Sequence, residues 1–443
     1  MPVDYFAGDN PISPAKPRAL SPMAWETWKS SNIQSKLLHL AICALWIAFF
    51  LLAGRALDLS VPYLPLAIAG GLIFYLRNWP SKLELAAWIL MSAGFAVIVR
   101  FPHDHNWINT SSGVLALFGL GAFLMLGLRW LWSDTDARRR TYAMLAPAAA
   151  LVFFVLSAQR ALSFANLLYP KTYDLYLYLV DGSLGFQPSF LMGRAMAHSA
   201  ILRLAAQVTY VSLPFVMALV YALRLPKQSE RPSWDMITLF LLAGLGGWAL
   251  YNIVPATGPG YVFSASFPWE TLPYPSLHRL LLERIPVNGN IPRNAIPSLH
   301  MAWVMLLYWN TKRQSPAMRY FLAVYLALTV VSTLGTGEHY FVDLVAGVPL
   351  AFAVQAIVAP DTRPSIWRRA AAASSGLGLT LFWLLLVRFC AKWMLISPIA
   401  PWGLVIATGV AIWRVKRWFE SRSTTDSTQP QNSEAKAMAT AAG

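Results

Sequence analysis

The stretch IPSLHMAW, residues 296–303, begins one of the apolar runs of this 443-residue chain. Its core, Pro-Ser-Leu-His at 297–300, is the second copy of a tetrapeptide whose first copy lies at 275–278, within YPSLHRLL. The chain has only seven histidines. A long apolar run follows the copy that ends at His300, whereas a short charged run follows the copy that ends at His278. Which copy carries chemistry therefore depends on what the apolar runs form.

The composition predicts a polytopic membrane protein. Hydrophobic residues make up 57% of the chain and charged residues only 12%, whereas a soluble globular domain carries about 25% charged residues. So few charges cannot cover a surface that faces water, and we predict an all-α membrane helical bundle. The net charge of +15 lies in short clusters between apolar runs rather than along one face, which excludes nucleic acid as the expected partner.

The apolar runs long enough to cross, or nearly cross, a bilayer predict about twelve transmembrane helices. They are 37–54, 61–76, 84–99, 113–131, 142–159, 201–223, 236–254, 297–311, 319–335, 339–358, 373–391 and 397–413. The second and third runs are short, so ten spans with one re-entrant pair stays open as an alternative.

The charge distribution predicts the orientation. With a cytoplasmic N-terminus, 24 of the 35 basic residues fall in segments on the inner side, as the positive-inside rule requires. Both termini are then cytoplasmic, with a polar, Pro-rich segment at 1–36 and a disordered tail at 420–443. Between them we predict accessory helices at 37–131, a six-helix catalytic core at 142–358, and accessory C-terminal helices at 373–413.

With this topology, the stretch LGTGEHYFVD, residues 334–343, lies at the outer face. His339 and Asp343 are four residues apart at the start of an apolar helix, so they share one side of it. The aspartate can accept a hydrogen bond from one imidazole nitrogen and leave the other nitrogen free to attack or to take a proton. The alternative is that both residues only anchor the helix end at the interface, although ionisable residues within spans are costly and tend to be functional.

The second Pro-Ser-Leu-His copy opens a membrane helix at the same depth. Pro297 fits the first turn, and Ser298 and His300 then lie in that turn. Because the free N–H groups of a helix N-terminus bind anions, His300 would stand beside a phosphate site. The first copy is expected to form a short surface or interfacial helix over the mouth of the site, so the second copy is the candidate for chemistry.

These motifs resemble the type 2 phosphatidic acid phosphatase superfamily, and more narrowly the inositolphosphotransferase-like branch that contains inositol phosphorylceramide synthase. NIVPATGPGY at 252–261 and LVDGSLGFQPS at 179–189 also resemble that branch. The resemblance implies a phosphoryl transfer in which His339 forms a phosphohistidine, Asp343 orients and charges it, His300 protonates the leaving oxygen, and Ser298 holds phosphate oxygens. It also implies a bacterial inner-membrane location with a periplasmic site.

The implied partners are a lipid phosphate or phospholipid donor, an alcohol or water acceptor, and membrane lipids. An alcohol acceptor gives a phosphotransferase, which we favour, and water gives a lipid phosphate or polyprenyl pyrophosphate phosphatase. A proton-coupled transporter is a third hypothesis, disfavoured because its polar residues should lie near mid-membrane. No cofactor and no metal ligand set is expected.

The sequence also departs from the superfamily pattern. Ser332 and Thr333 stand where many phosphatases have Ser-Arg, and the Lys-x6-Arg-Pro motif is absent. Arg293 is our leading substitute for the missing phosphate-binding cations, ahead of a weaker group: Arg284, Arg160, Lys171 and Arg203. Asp174 and Asp181 could hold a polyol acceptor, but we expect them to be solvated loop charges.

Overall fold

The computed structural model of the protein describes residues 63–78, 80–99, 107–224, 235–311, 315–359 and 365–421, with a few isolated positions between 41 and 59. The predicted segment 1–36, most of the predicted span 37–54, and the predicted tail beyond residue 421 lie outside this part of the chain. By its contacts the described part of the chain divides into two compact units, one drawn from residues 1–149 and 222–232 and the other from 150–221 and 233–443.

The architecture is all-α, as predicted. The helices are α1 (Leu64–Arg77), α2 (Lys82–Ile98), α3 (Trp107–Trp132), α4 (Thr135–Leu168), α5 (Asp174–Gly182), α6 (Pro188–His198), α7 (Ala200–Arg224), α8 (Asp235–Tyr251), α9 (Pro259–Val262), α10 (Tyr274–Leu277), α11 (Leu299–Trp309), α12 (Pro316–Gly335), α13 (Phe341–Val358), α14 (Ile366–Cys390) and α15 (Ile399–Glu420). Two 3₁₀ turns, Ser264–Ser266 and Ala391–Leu395, complete the helical elements in the described residues.

Several of these helices can span a bilayer. Within the described ranges, seven are long and apolar enough, namely α4, α7, α12, α13, α14, α15 and the part of α3 from Thr110. Three shorter apolar helices correspond to α1, α8 from Met236, and α11. The multi-pass membrane character is therefore confirmed, whereas the count of twelve spans stays a prediction.

In the second unit the core lies around α13. This helix packs against α14, α11 and α8, and Phe352 and Ala356 meet Ala372 of α14 and Ile412 of α15 in a buried cluster. The two C-terminal helices, predicted as accessory, are thus packed onto the same unit as α11–α13.

A short two-stranded β-ladder joins two of the segments between the helices. Strand β1 (Lys171–Thr172) pairs antiparallel with β2 (Ile285–Pro286), with Thr172 opposite Ile285. The main chain continues this contact, because the N–H of Val287 donates to the carbonyl of Pro170 at 3.2 Å. The ladder ties the segment after α4 to the long polar segment before α11.

Candidate active site

The imidazole of His339 is held at both ring nitrogens. His339 lies in the short turn between α12 and α13. Its Nδ1 is 2.8 Å from the carbonyl oxygen of Ala295, and its Nε2 is 3.2 Å from Oγ of Ser298. A carbonyl oxygen can only accept, so Nδ1 carries the proton and Nε2 presents its lone pair, to which the Ser298 hydroxyl donates. Nε2 is therefore the nitrogen available to attack an electrophile.

The surroundings keep this imidazole neutral. His339 is 3% exposed, and burial lowers the pKa of its imidazole to about 4, although the Glu338 carboxylate and the Ala295 carbonyl act in the opposite direction. Near neutral pH the ring is in the unprotonated form that a nucleophile needs.

Ser298 is presented by the start of α11. The helix begins at Leu299 and Ser298 is its N-cap, with Oγ accepting the N–H of Met301 at 3.4 Å. The expectation that Pro297 and Ser298 lie in the first turn is therefore wrong by two residues, because the capping geometry of Ser298 needs a non-helical backbone. The other N–H groups of the first turn of α11 have no backbone acceptor within the helix.

The backbone at Ser298 and the backbone at Asp343 lie in direct contact. The N–H of Ser298 donates to the carbonyl of Asp343 at 2.9 Å. Gly347, one turn further along α13, allows this contact, since a Cβ there would lie 2.5 Å from the Ser298 carbonyl oxygen. The first turn of α13 is thereby fixed against the N-cap of α11.

Asp343 lies beside His339 as the spacing predicts, but the hydrogen bonding differs. Its Oδ2 is 3.5 Å from Nδ1 of His339, too long for a good hydrogen bond, and accepts the N–H of Tyr340 at 2.7 Å. The group that fixes the tautomer is the Ala295 carbonyl. Asp343 is a fully buried carboxyl next to the ring, and its part in charging the histidine stays a prediction.

His300 lies across the site from His339. The two ring centroids are 5.9 Å apart at 68°, close enough to flank one phosphoryl group. His300 stacks on Tyr210 of α7, with centroids 4.3 Å apart and planes at 20°, and is 8% exposed. The stacking fixes the ring plane, so the predicted acid and nucleophile converge from α11 and from the start of α13.

Glu338 is a further ionisable group at the site that the sequence analysis did not single out. Its Oε1 accepts the hydroxyl proton of Tyr261 at 2.7 Å, and Tyr210 also hydrogen-bonds to it. Burial raises the pKa of this carboxyl, while the neighbouring tyrosine hydroxyls and His339 lower it. Its position directly before His339, in a turn between apolar helices, was a signal that could have identified it.

Asp174 and Asp181 are not the solvated loop charges we expected. Both are 0% exposed. Asp181 accepts the N–H groups of Phe341 and Val342 at 2.7 and 3.0 Å, and burial raises its pKa to about 8. Asp181 therefore caps α13, where two donors would otherwise be unpaired.

Asp174 likewise accepts backbone N–H groups, here from the VPATGPGY stretch at 254–261. Its carboxylate accepts the N–H of Gly258 at 2.9 Å and both the N–H and hydroxyl of Thr257. Gly258 has φ of +106°, and a Cβ there would lie 2.4 Å from the Glu338 carbonyl oxygen. The two loops approach so closely because residue 258 is glycine.

Arg293, proposed as a phosphate ligand, is 1% exposed and turned toward backbone carbonyls. Its Nε, Nη1 and Nη2 donate to the carbonyls of Tyr169, Ile291 and Val287 at 3.0, 2.6 and 2.8 Å. Burial lowers the pKa of its guanidinium and Asp174 raises it. Through these hydrogen bonds Arg293 holds the segment before α11 in place. Phosphate binding by Arg293 stays a prediction.

Ser332 and Thr333, which stand at the Ser-Arg positions of the superfamily pattern, are both fully buried in α12. The Ser332 hydroxyl donates to the carbonyl of Ala206 at 2.7 Å, and the Thr333 hydroxyl donates to Thr329 at 2.8 Å. The Thr333 carbonyl accepts the N–H of His339 at 3.1 Å. These residues support the turn that carries the histidine and bring no charge to the phosphoryl site.

The first Pro-Ser-Leu-His copy lies apart from these groups. It forms α10, a single turn over Tyr274–Leu277, and His278 follows as an exposed C-cap against the ring of Tyr274. The charged residues after it are not helical, so the expected short helix is shorter than predicted. Of the two copies, the one at 297–300 places its serine and histidine beside His339.

The Asp181→Ala variant should lower the free energy of unfolding by about 1–3 kcal/mol, because it leaves the buried N–H groups of Phe341 and Val342 without an acceptor. Asp181→Asn keeps an amide oxygen as acceptor and should lose less. Denaturant unfolding of the detergent-solubilised protein measures both, with Glu283→Ala at an exposed position as the control. Equal stability of the alanine and asparagine variants would contradict the capping role.

Comparison with known proteins agrees with the geometry. Residues 175–357 match the model of the PAP2 superfamily, whose members are phosphatases or phosphotransferases. None of the curated proteins or solved structures compared with the chain matches it. Among the described residues, no group of three or more His, Cys, Asp or Glu side chains is arranged to hold a metal ion. The matched segment contains Ser298, His300, His339 and Asp343, and it lies in a chain whose apolar helices indicate a multi-pass membrane protein.

Proposed function

We propose that the protein is a membrane phosphotransferase that moves a phosphoryl-linked head group between lipid-like molecules at the outer face of the membrane. The observation that carries the proposal is the His339 ring, with Nδ1–H on the Ala295 carbonyl and Nε2 facing Ser298. This arrangement supplies a neutral, oriented nucleophile beside the N-terminus of α11, where phosphate oxygens are favoured.

In the first step, the lone pair of His339 Nε2 attacks phosphorus while the bond from phosphorus to the donor oxygen breaks. The negative charge of the bound phosphate group favours the protonated form of the buried His300, which then gives its proton to the leaving oxygen. The ring now bears a phosphoryl group on Nε2 and the original proton on Nδ1, and its positive charge lies close to Asp343 and Glu338. Ser298 and the first-turn N–H groups of α11 stabilise the phosphoryl oxygens.

In the second step, an acceptor alcohol gives its proton to the now neutral His300 and attacks phosphorus, and the nitrogen–phosphorus bond breaks. His339 returns to its neutral form and His300 to its protonated form, so protons and charges balance over the cycle. Transfer is favoured over hydrolysis because Thr333 stands where the superfamily has an arginine and the Lys-x6-Arg-Pro motif is absent. A site with fewer cations suits a singly charged phosphodiester better than a doubly charged phosphate.

Lipid mass spectrometry of cells with and without the gene tests the proposal. Loss of the gene should remove a phosphodiester lipid, and the wild-type chain should restore it while His339→Asn should not. Accumulation of a lipid phosphate in the deletion strain, with no phosphodiester lost, would instead identify the hydrolase.

The outer-face orientation predicts which engineered cysteines a membrane-impermeant thiol reagent reaches. In a Cys43→Ser, Cys390→Ser background, a cysteine at Leu281, which is 71% exposed, should react from outside. A cysteine at Ser315, the exposed N-cap of α12, should react only after the membrane is opened. The reason is the excess of basic residues on the side of Ser315. Labelling of Ser315→Cys alone in sealed cells would place the site on the cytoplasmic side and contradict the orientation.

The lowered pKa of His339 predicts that phosphoenzyme formation persists in mild acid. With a nitrophenyl phosphodiester, whose leaving group needs no proton, the initial labelling rate at pH 5.5 should stay within about threefold of that at pH 7.5. An ordinary histidine with a pKa of about 6.5 would lose about tenfold. Glu338→Gln should shift the acid side of the pH–rate profile to still lower pH, since the Glu338 carboxylate raises the pKa of His339. An acid limb near pH 6.5 in the wild type would contradict the prediction.

A further inference from the structure

A cluster of two arginines lies around Tyr173, directly before α5. The β1–β2 ladder pairs Thr172 with Ile285, so the next residues in register are Tyr173 and Arg284. The guanidinium carbon of Arg284 is 5.9 Å from the centre of the Tyr173 ring. Arg284 is an exposed residue, and its backbone position is fixed by the ladder at the adjacent Ile285.

A second arginine reaches the same ring from outside the PAP2-superfamily segment. Arg388, in the last turn of α14, has its guanidinium carbon 5.4 Å from the centre of Tyr173. Its Nη1 donates to the carbonyl of Ile253. Its Nε is buried and has no hydrogen-bond partner, so the protein leaves this guanidinium incompletely hydrogen-bonded.

Neither guanidinium has an acidic partner in the described part of the chain. Asp174, next to Tyr173, is fully buried and its oxygens accept from Thr257 and Gly258. Two positive charges that share one aromatic ring without a carboxylate repel each other, and a bound anion would relieve that repulsion.

The surroundings of both arginines suit a lipid rather than a free anion. Leu281, near Arg284, is 71% exposed, and Phe389 and Trp393, next to Arg388 and one turn after it, are 71% and 68% exposed. Apolar side chains beside a cation at a helix end are typical of the membrane interface, where acyl chains and head groups meet.

We propose that Arg284 and Arg388 form an anion site, separate from His339, that binds the phosphate group of a membrane phospholipid against Tyr173. In the described part of the chain neither arginine is hydrogen-bonded to His339 or Ser298, and the N–H of Tyr173 donates to the Pro255 carbonyl at 2.9 Å. The site gives α14, which lies beyond the matched segment, a direct part in holding lipid beside the PAP2 region.

Binding to the purified protein in neutral detergent tests the site without any turnover, so its outcome does not depend on the proposed function. The probes are dioctanoyl phosphatidylglycerol, dioctanoylglycerol with the same chains and no phosphate, and inorganic phosphate. Calorimetry should show phosphatidylglycerol binding at least about tenfold more weakly to Arg284→Gln/Arg388→Gln than to the wild type, and weak binding of the other two probes to both.

The matched control is Arg279→Gln/Lys392→Gln, which removes the same charge from exposed positions with no contact to Tyr173 and should bind within twofold of the wild type. Arg284→Lys/Arg388→Lys keeps both charges and should bind more tightly than the glutamine pair, with thermal unfolding checking that each variant is folded. The proposal fails if the control pair loses as much affinity, if the lysine pair binds as weakly as the glutamine pair, or if dioctanoylglycerol binds as tightly as phosphatidylglycerol. Inorganic phosphate binding as tightly as the lipid would overturn the assignment to a phospholipid.

Discussion

The His339→Asn variant is expected to lose the covalent phosphoenzyme completely and to lower turnover at least about a thousandfold, the scale of losing a nucleophile. In the wild type, ³²P-labelled membrane lipids should leave label on the protein in an acid-labile, base-stable bond, as a phosphoramidate requires. Asparagine keeps a polar side chain of similar bulk and can still donate to the Ala295 carbonyl, so the turn between α12 and α13 should persist. The measurement is label retained after acid and after base treatment.

Asp343, the carboxyl beside His339, provides a control with an intermediate expected amount of label. Asp343→Asn should leave a weak but measurable label, because the Ala295 carbonyl still fixes the tautomer while a neutral amide cannot stabilise the positive charge on the phosphorylated ring. Full labelling of His339→Asn, or label found on Ser298, would show that the covalent-histidine mechanism is wrong. The histidine would then act as a base that activates water or an alcohol directly.

The local parts of this site could be predicted from the sequence because helix geometry alone determines them. His339 and Asp343 are four residues apart at a helix start, and Ser298 and His300 open another helix, so each pair was fixed by spacing. The membrane helices followed from apolar runs in the same way. The packing of one pair against the other, 41 residues away, was supplied by the family resemblance and not by the pattern.

The groups that complete the site are those that no local pattern reveals. The Ala295 carbonyl, which fixes the tautomer of His339, is a backbone atom and leaves no trace in the residue types. Asp181 caps α13 from 160 residues upstream in sequence, and its burial depends on how the segment after α4 folds back. A carboxylate between apolar runs looks solvated in sequence and is buried here because two helix N–H groups satisfy it.

Arg293 shows a converse ambiguity. Its place a few residues before a phosphate-type motif predicts a ligand, and its guanidinium donates to three carbonyls of an irregular segment. Irregular backbone leaves carbonyl groups that need donors, and arginine supplies several in a rigid fork. A buried arginine within a long polar segment is thus as well explained by loop clasping as by anion binding, and the sequence does not distinguish the two.

The twin motifs allow a matched test of the general acid. His300→Ala should lower turnover of a lipid donor at least about a hundredfold, the usual scale for losing a positioned acid, whereas His278→Ala should change it less than about threefold. Both substitutions alter the same Pro-Ser-Leu-His tetrapeptide, but His300 faces His339 across 5.9 Å while His278 is exposed at the end of α10.

His300 is buried against Tyr210, so its alanine variant also opens a cavity. His300→Gln, which keeps more of the bulk, separates packing from chemistry: it should be as inactive as the alanine variant but closer to the wild type in thermal stability. A nitrophenyl phosphodiester sharpens the comparison further, because its leaving group needs no proton and the loss in the first step should shrink to about tenfold or less. The assignment of the acid to His300 fails if His278→Ala costs as much as His300→Ala, or if the loss is equally large with both kinds of leaving group. In the second case His300 would act on the ring of His339 or on the phosphoryl oxygens, since only a proton donor to the leaving oxygen loses its importance when that oxygen departs unaided.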